Sequence, residues 1–337
     1  MVKYCCDKCG HNTEININNM QVSSMTDNVI KDIHDILKEA VNTIEEKMDN
    51  LERSLINQLC IATHTIHKID ETKTIKNTSP LRYPGGKTRA CKPLNDILIQ
   101  NFDMDQFDTV ISPFFGGGSF EFFLQSNYNL HIQANDKFRP LFCFWNSCKT
   151  KKEELVESLD NFIDNVDKNY FGQLRKSILD ETNALQQSIM YFIINRCSFS
   201  GATMSGGFSS EASKKRFTTS SINRIRELDL SYFDICNLDF EEFISNHAKE
   251  KDNALMFLDP PYYLEKGSKL YGSNGDMHEH FDHDSLYECL SNKKNWFMTY
   301  NNCEYVKNLY KDFTIIETGW SYGMNKSKES SEIVIIG

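Results

Sequence analysis

Leu255-Met256-Phe257-Leu258-Asp259-Pro260-Pro261-Tyr262 places four consecutive apolar residues directly before an acid, two prolines and a tyrosine. An apolar run of this length, bounded by turn-forming residues, reads as a strand buried on both faces, as in parallel sheets. The two prolines fix φ and remove two amide donors, so the chain leaves the strand extended and its carbonyls stay without local partners. Asp259 to Tyr262 is thereby carried to the carboxyl edge of a sheet, where open α/β folds bind ligands. Taken alone, the same residues also read as a turn that ends a core strand.

Further strand-like runs occur at Thr109 to Ser112, His131 to Asn135, Trp296 to Tyr300 and Phe313 to Thr318, with helix-like segments between them. This alternation predicts a mostly parallel, doubly wound α/β sheet wrapped by helices. Between about residues 150 and 235 the pattern changes to helical stretches near Lys151 to Val166 and Ala184 to Asn195, followed by a Ser/Gly-rich patch at Ser198 to Ser213. This reads as an inserted helical lobe. The catalytic domain is expected to span 79–337.

Residues 1–26 form a Cys-rich and then Asn-rich segment, and residues 27–70 read as one long helix, since Asp27 to Lys68 contains neither Pro nor Gly. Ile30, Leu37, Ile44 and Leu51 recur every seven residues, with Val41, Met48 and Leu55 as a second row beside them. This pattern fits a coiled coil through which two chains self-associate. It equally fits one amphipathic helix docked on its own domain, because Lys47 and Ser54 interrupt the alternate seam.

The 337 residues, 40% of them hydrophobic, suffice for one large core plus an appendage. A net charge of -10 gives no global attraction to a polyanion, so binding one requires a local basic surface. Eleven cysteines scattered over a long chain, with no apolar leader at Met1 to Gly10, indicate reduced thiols and an intracellular setting. No apolar stretch approaches the roughly 20 residues needed to span a bilayer.

Three further segments carry chemistry. In Ile111-Ser112-Pro113-Phe114-Phe115-Gly116-Gly117-Gly118-Ser119, a strand gives way to a glycine turn and a helix. That geometry lets the backbone approach a ligand and offers helix-start amides to a polar group. Asn135-Asp136 closes the next strand about twenty residues on. There a carboxylate grips a ribose hydroxyl pair in nucleoside-binding sheets, or simply caps the following helix. Leu81-Arg82-Tyr83-Pro84-Gly85-Gly86-Lys87 precedes the first strand and combines an aromatic face, a tight turn and a cation. At the Asp259 tetrapeptide, a carboxylate and a proline carbonyl could accept the two N–H bonds of a planar amine whose lone pair is delocalised, steadying the positive charge of its alkylation. Tyr262 adds a flat face for a base removed from a duplex.

These segments resemble the Dam-like, or D12 class, DNA adenine N6-methyltransferases. An aromatic-x-Gly-Gly-Lys segment, a Pro-Phe-x-Gly-Gly-Gly loop, an Asn-Asp pair, an Asp-Phe pair and Asp-Pro-Pro-Tyr follow in the family's order. Here they are Tyr83 to Lys87, Pro113 to Gly118, Asn135-Asp136, Asp239-Phe240 and Asp259 to Tyr262. The resemblance implies a Rossmann-like methyltransferase sheet with a DNA-recognition lobe, adenine methylation of double-stranded DNA, and a restriction-modification setting in a bacterial or, for a viral chain, a host cytoplasm. It implies that Tyr83, Gly86, Lys87, Pro113, Phe114, Gly116, Gly117, Gly118, Asp136, Asp239 and Asp259 surround S-adenosylmethionine, and that Asp259, Pro260, Pro261 and Tyr262 form the catalytic pocket. Asn195-Arg196-Cys197-Ser198-Phe199-Ser200-Gly201 resembles the family's Asn-Arg-x-x-Phe-Asn-Gly segment. Together with Lys214, Lys215 and Arg216 it is expected to face DNA.

Ser112 departs from the resemblance, since the family carries Asp or Glu before the Pro-Phe pair. Two other readings fit the same residues: a methyltransferase acting on RNA or another amino or amide group, and a DNA-binding or assembly protein with a decayed cofactor site. Cys6-x-x-Cys9 has the spacing of half a zinc site, with Cys60, His64 and His67 as distant partners; unligated thiols on a frayed segment are the alternative.

Overall fold

The computed structural model describes residues 77–247, 253–263, 281–320 and 330–337, the two short strands at 2–5 and 12–15, and the single residues Lys38 and Lys47. The chain divides into two units, Met1–Lys73 and Thr74–Gly337. In the first, Val2–Cys5 and Asn12–Ile15 pair antiparallel, Val2 opposite Ile15 and Cys5 opposite Asn12. The sequence reading places no strand there. Cys6 and Cys9 lie outside the described residues, as does the heptad pattern over 27–70 apart from Lys38 and Lys47, which are helical.

The second unit is built on a seven-stranded sheet. Its strands in chain order are β1 (Thr109–Ser112), β2 (His131–Asn135), β3 (Phe233–Cys236), β4 (Ala254–Leu258), β5 (Trp296–Asn301), β6 (Thr314–Trp320) and β7 (Ser330–Ile336). They lie side by side as β3-β2-β1-β4-β5-β7-β6. All neighbours from β3 to β5 are parallel, and β7 runs antiparallel between β5 and β6. This is the doubly wound order expected from the sequence. Strand order reverses at the β1/β4 pair, where Thr109 faces Ala254 and Ile111 faces Met256. A switch point of this kind opens the crevice in which such sheets bind ligands. The loops after Ser112 and after Leu258 therefore emerge side by side.

Both faces of the sheet are covered, which is why β4 is an unbroken apolar run. Leu255 and Phe257 join one core with Val110, Ile132 and Phe297, while Ala254, Met256 and Leu258 join the other with Ile111 and Met298. Helices α1 (Cys91–Asn101), α2 (Ser119–Tyr128) and α3 (Arg139–Thr150) contribute to the first core, joined by α4 (Lys152–Asp160), α5 (Lys168–Ser177), α6 (Ala184–Cys197) and α8 (Thr219–Glu227) of the helical segment. The short helix α7 (Ser210–Lys215) packs near them. The expected lobe at 150–235 thus shares a continuous core with the sheet. Helices α9 (Phe240–His247), α10 (His283–Leu290) and α11 (Glu304–Leu309) cover the second face.

Helix α6 is the centre of the helical segment. Asn183 caps it by accepting the Gln186 amide at 3.0 Å, and every residue from Gln187 to Cys197 is buried. A helix apolar on most sides belongs in a core, and its few polar groups are matched. Gln187 Nε2 donates to the Ile178 carbonyl at 2.7 Å, and Ser188 lies 2.9 Å from Ser147 of α3. The helix expected over Lys151 to Val166 ends at Asp160, and Asp164 adopts φ 62°, outside the helical region. No described cysteine is in a disulfide, and no helix of the described residues is long and apolar enough to cross a membrane.

Candidate active site

Tyr83-Pro84-Gly85-Gly86 forms a turn closed by the Gly86 amide donating to the Tyr83 carbonyl at 3.0 Å. Proline at the second position and glycine at φ 72° in the third are the requirements of a type II turn. The turn sends Lys87 inward, where it is only 4% exposed. Its ammonium donates to Asp259 Oδ1 at 2.7 Å, to Asp259 Oδ2 at 2.8 Å, to the Tyr262 hydroxyl at 3.0 Å and to the Gly85 carbonyl at 3.2 Å. Lys87, expected at the cofactor, is thus bonded to Asp259 and Tyr262.

The Tyr83 ring lies against the glycine loop. A methyl group on Gly116 would sit 2.9 Å from Tyr83 Cε1, and one on Gly117 would sit 2.7 Å from Tyr83 Cβ. Gly118 adopts φ 67° as the residue before α2. Loop position is fixed from two sides: the Phe115 amide donates to the Asn135 carbonyl at 2.8 Å, and Trp145 Nε1 donates to the Gly116 carbonyl at 2.9 Å. Pro113 is buried, and Phe114 packs against Phe240 and Phe281 at centroid distances of 5.6 and 5.5 Å.

Asp136 accepts two backbone amides: Oδ1 takes the Phe138 amide at 2.9 Å just before α3, and Oδ2 takes the Gly116 amide at 3.0 Å. Burial raises its pKa to about 6, against the lowering effect of those two amides. Asp239 lies at the start of α9, accepts the Glu241 amide at 3.1 Å and pairs with Lys137 at 2.6 Å. Burial pushes its carboxyl up, but the Lys137 hydrogen bond and charge and the Glu241 and Phe240 amides outweigh this and lower it overall. Asn135 joins these segments. Its Nδ2 donates to the Pro113 and Leu238 carbonyls, both at 3.1 Å, and its Oδ1 accepts the Leu238 amide at 2.8 Å. The glycine loop, the acid after β2 and the acid before α9 are thereby held at one edge.

Beyond β4, Asp259 is gripped a second time: Thr299, fully buried on β5, donates from Oγ1 to Asp259 Oδ1 at 2.7 Å. A carboxylate offers about four acceptor positions. The contacts from Lys87 and Thr299 engage Oδ1 twice and Oδ2 once. Among the described residues no backbone amide donates to the Pro260 or Pro261 carbonyl, and the two prolines have no amide N–H of their own. Tyr262 stacks on Tyr300 at 5.7 Å and 21°, and its hydroxyl donates to Glu332 Oε2 at 2.7 Å. Lys87 Nζ is 5.1 Å from the Tyr262 ring centroid but 3.0 Å from its oxygen, so the ammonium meets the hydroxyl end of the ring and not its face.

Ser112 does not leave this edge without a carboxyl. Glu121, on the first turn of α2 and 2% exposed, accepts the Ser112 hydroxyl at 2.6 Å. Burial raises its pKa to about 8, against the lowering effect of the Ser112 hydrogen bond; Asp259 adds to the rise and Lys87 opposes it.

The expected DNA-facing residues separate into two groups. Asn195 and Arg196, expected to face DNA, are buried, and their polar groups bond to the protein's own backbone. Asn195 accepts the Arg82 amide at 3.0 Å and donates to the Arg82 carbonyl at 2.7 Å, tying α6 to the strand of chain before Tyr83. Arg196 donates to the Arg216 carbonyl at 2.7 Å and the Pro80 carbonyl at 3.0 Å, and burial together with Arg82, Arg224 and Arg216 lowers its pKa to about 10. Lys214, Lys215 and Arg216 are exposed. Phe199 is 68% exposed, on a turn where Ser200 adopts φ 58°. Sequence reading did not single out Trp145, Thr299, Glu121 or Glu332, because each gains its role from a partner distant in sequence.

No curated protein matches the chain. The family model for D12 class N6 adenine-specific DNA methyltransferases matches residues 83–324, from the Tyr83 turn across the glycine loop and the Asp259 tetrapeptide to the residues after β6. With the greater part of its length covered in this way, the chain belongs to the D12 class N6 adenine-specific DNA methyltransferases.

Proposed function

We propose that the chain transfers a methyl group from S-adenosylmethionine to the N6 amine of an adenine flipped out of double-stranded DNA. The observation that carries this reading is Asp259, held by Lys87 and Thr299 at the carboxyl end of β4, with two proline carbonyls and the Tyr262 ring following it. The remaining acceptor position on Oδ2 and the Pro260 carbonyl would take the two N–H bonds of the amine. They would thereby oppose delocalisation of its lone pair and stabilise the charge that develops on nitrogen. Tyr262 would support the extruded base.

The residues also fit the cofactor. Asp136 ends β2 with acceptor capacity left on both oxygens, suited to a ribose hydroxyl pair, and Phe114 and Phe240 offer apolar cover for an adenine. The positive-φ turn at Gly116 and Gly118 opens onto the start of α2, suited to the carboxylate of an amino-acid tail. When bound, S-adenosylmethionine supplies an electrophilic sulfonium methyl. Lys214, Lys215, Arg216 and Phe199 would meet the duplex.

Incubation with labelled S-adenosylmethionine and unmethylated genomic DNA, beside matched RNA and an Asp259→Ala control, tests the reading. Digestion to nucleosides should place the label in N6-methyldeoxyadenosine, and the variant should place none. Label in RNA alone, or none with either polymer, would reject it.

A further inference from the structure

We infer that Glu332 is a positioning residue for methyl transfer: docked on the Tyr262 hydroxyl, its carboxylate fixes the plane of the ring against which the target base is held. This rests on the function proposed above. Glu332 lies on β7, paired with Asn301 of β5 and Thr318 of β6, and outside the residues matched by the family. Its neighbours along the strand are Ile333, Val334 and Ile335, all fully buried, and Glu332 itself is 2% exposed. A carboxylate there carries a desolvation cost that an apolar residue would avoid, so it needs partners.

Tyr262 is one such partner, at 2.7 Å, within the range of charge-assisted O–H···O contacts. The two prolines fix the chain that leads to Tyr262, and the placement of its side chain is left to its contacts. Contacts from three described residues bear on it. Lys87 donates to the hydroxyl, Glu332 accepts from it, and Tyr300 stacks on the ring. Lys87 also grips Asp259, so the ring and the amine-polarising carboxylate are held by one ammonium and kept in register with each other. In this arrangement Glu332 acts through Tyr262.

Steady-state methylation by Glu332→Ala, Glu332→Gln, Tyr262→Phe and the double variant Tyr262→Phe/Glu332→Ala tests this, with unfolding midpoints measured alongside. Glu332→Ala should lower kcat about tenfold with little change in KM for DNA, the loss of one charge-assisted hydrogen bond. Glu332→Gln, which can still accept from the hydroxyl, should recover most of that loss. With Tyr262 already Phe, removing Glu332 should cost nothing more. If Glu332→Ala does not fold, Tyr262→Phe carries the test alone and must lose kcat by a similar factor. Equal losses in both backgrounds, or an unchanged kcat in Glu332→Ala, overturn the inference while the proposed function stands. A wild-type chain that methylates no DNA rejects the proposed function itself.

Discussion

Glu121→Gln should make the protein more stable at neutral pH and leave it nearly unchanged in mild acid. Glu121 is buried against Ser112, and its carboxyl is raised from 4.5 to about 8 by burial, with Asp259 adding to the rise. A carboxyl raised on folding keeps its proton in the folded state while the unfolded chain releases it. Its stabilising contribution is therefore complete below about pH 4.5 and is lost as pH rises through about 8. At pH 7, about 2.5 pH units above the unfolded value, retaining the proton costs on the order of 3 kcal/mol, at roughly 1.4 kcal/mol per unit. Glutamine keeps an oxygen for the Ser112 hydroxyl and has no proton to lose, but adds a donor that must find a partner, at a cost of about 1 kcal/mol. The expected net gain at pH 7 is about 2 kcal/mol, read by urea unfolding of both proteins between about pH 5 and pH 8. A difference that stays flat across this window, or that turns against glutamine as pH rises, would show that burial does not govern this carboxyl.

Other consequences can be measured on the same protein. Gly118→Ala forces a side chain onto φ 67° with its Cβ 2.6 Å from Phe115 Cζ, and should cost about 1–3 kcal/mol of stability and weaken S-adenosylhomocysteine binding by calorimetry. Asn195→Ala removes the side-chain partner of the half-buried amide and carbonyl of Arg82, and a loss of about 1–3 kcal/mol is expected in a denaturant titration. Asp259→Asn should lower methylation by about 100-fold or more, with S-adenosylhomocysteine affinity changed far less, because the amide keeps the shape but not the charge facing the amine. Replacing Lys214, Lys215 and Arg216 by Gln should reduce the slope of log affinity for DNA against log salt by roughly 0.9 for each phosphate contact removed; an unchanged slope would place the duplex elsewhere.

Strands β1, β2, β4 and β5 were legible because their burial is written locally, as short apolar runs ended by polar or turn residues. Strand β3, Phe233–Cys236, was not, since at the sheet edge its burial falls off after Phe233 and it has no apolar run. The run Ile333-Val334-Ile335-Ile336 of β7 was present in the sequence, but nothing local says that this strand inserts antiparallel between β5 and β6. The same division holds at the site. Asp259, Tyr262 and the glycine loop announce themselves by proline and glycine chemistry. Asn195 and Arg196 carry a recognisable pattern whose apparent polarity is misleading, because their donors serve carbonyls from Pro80, Arg82 and Arg216 that only the fold brings near. Thr299 and Glu332 sit in strands where a lone polar residue has no local meaning until its partner across the sheet is known.

Strand β7 follows β6 in the chain yet lies between β6 and β5. During synthesis, a nascent polypeptide that has emerged only through β6 would therefore have β5 as an open edge, with its ladder of amides and carbonyls exposed to any passing strand. Residues 330–336 close that edge and deliver the carboxylate that steadies Tyr262 in one event. Sheet completion and maturation of the catalytic pocket are thereby coupled, and an incompletely made chain would be prone to aggregate before it could modify a genome.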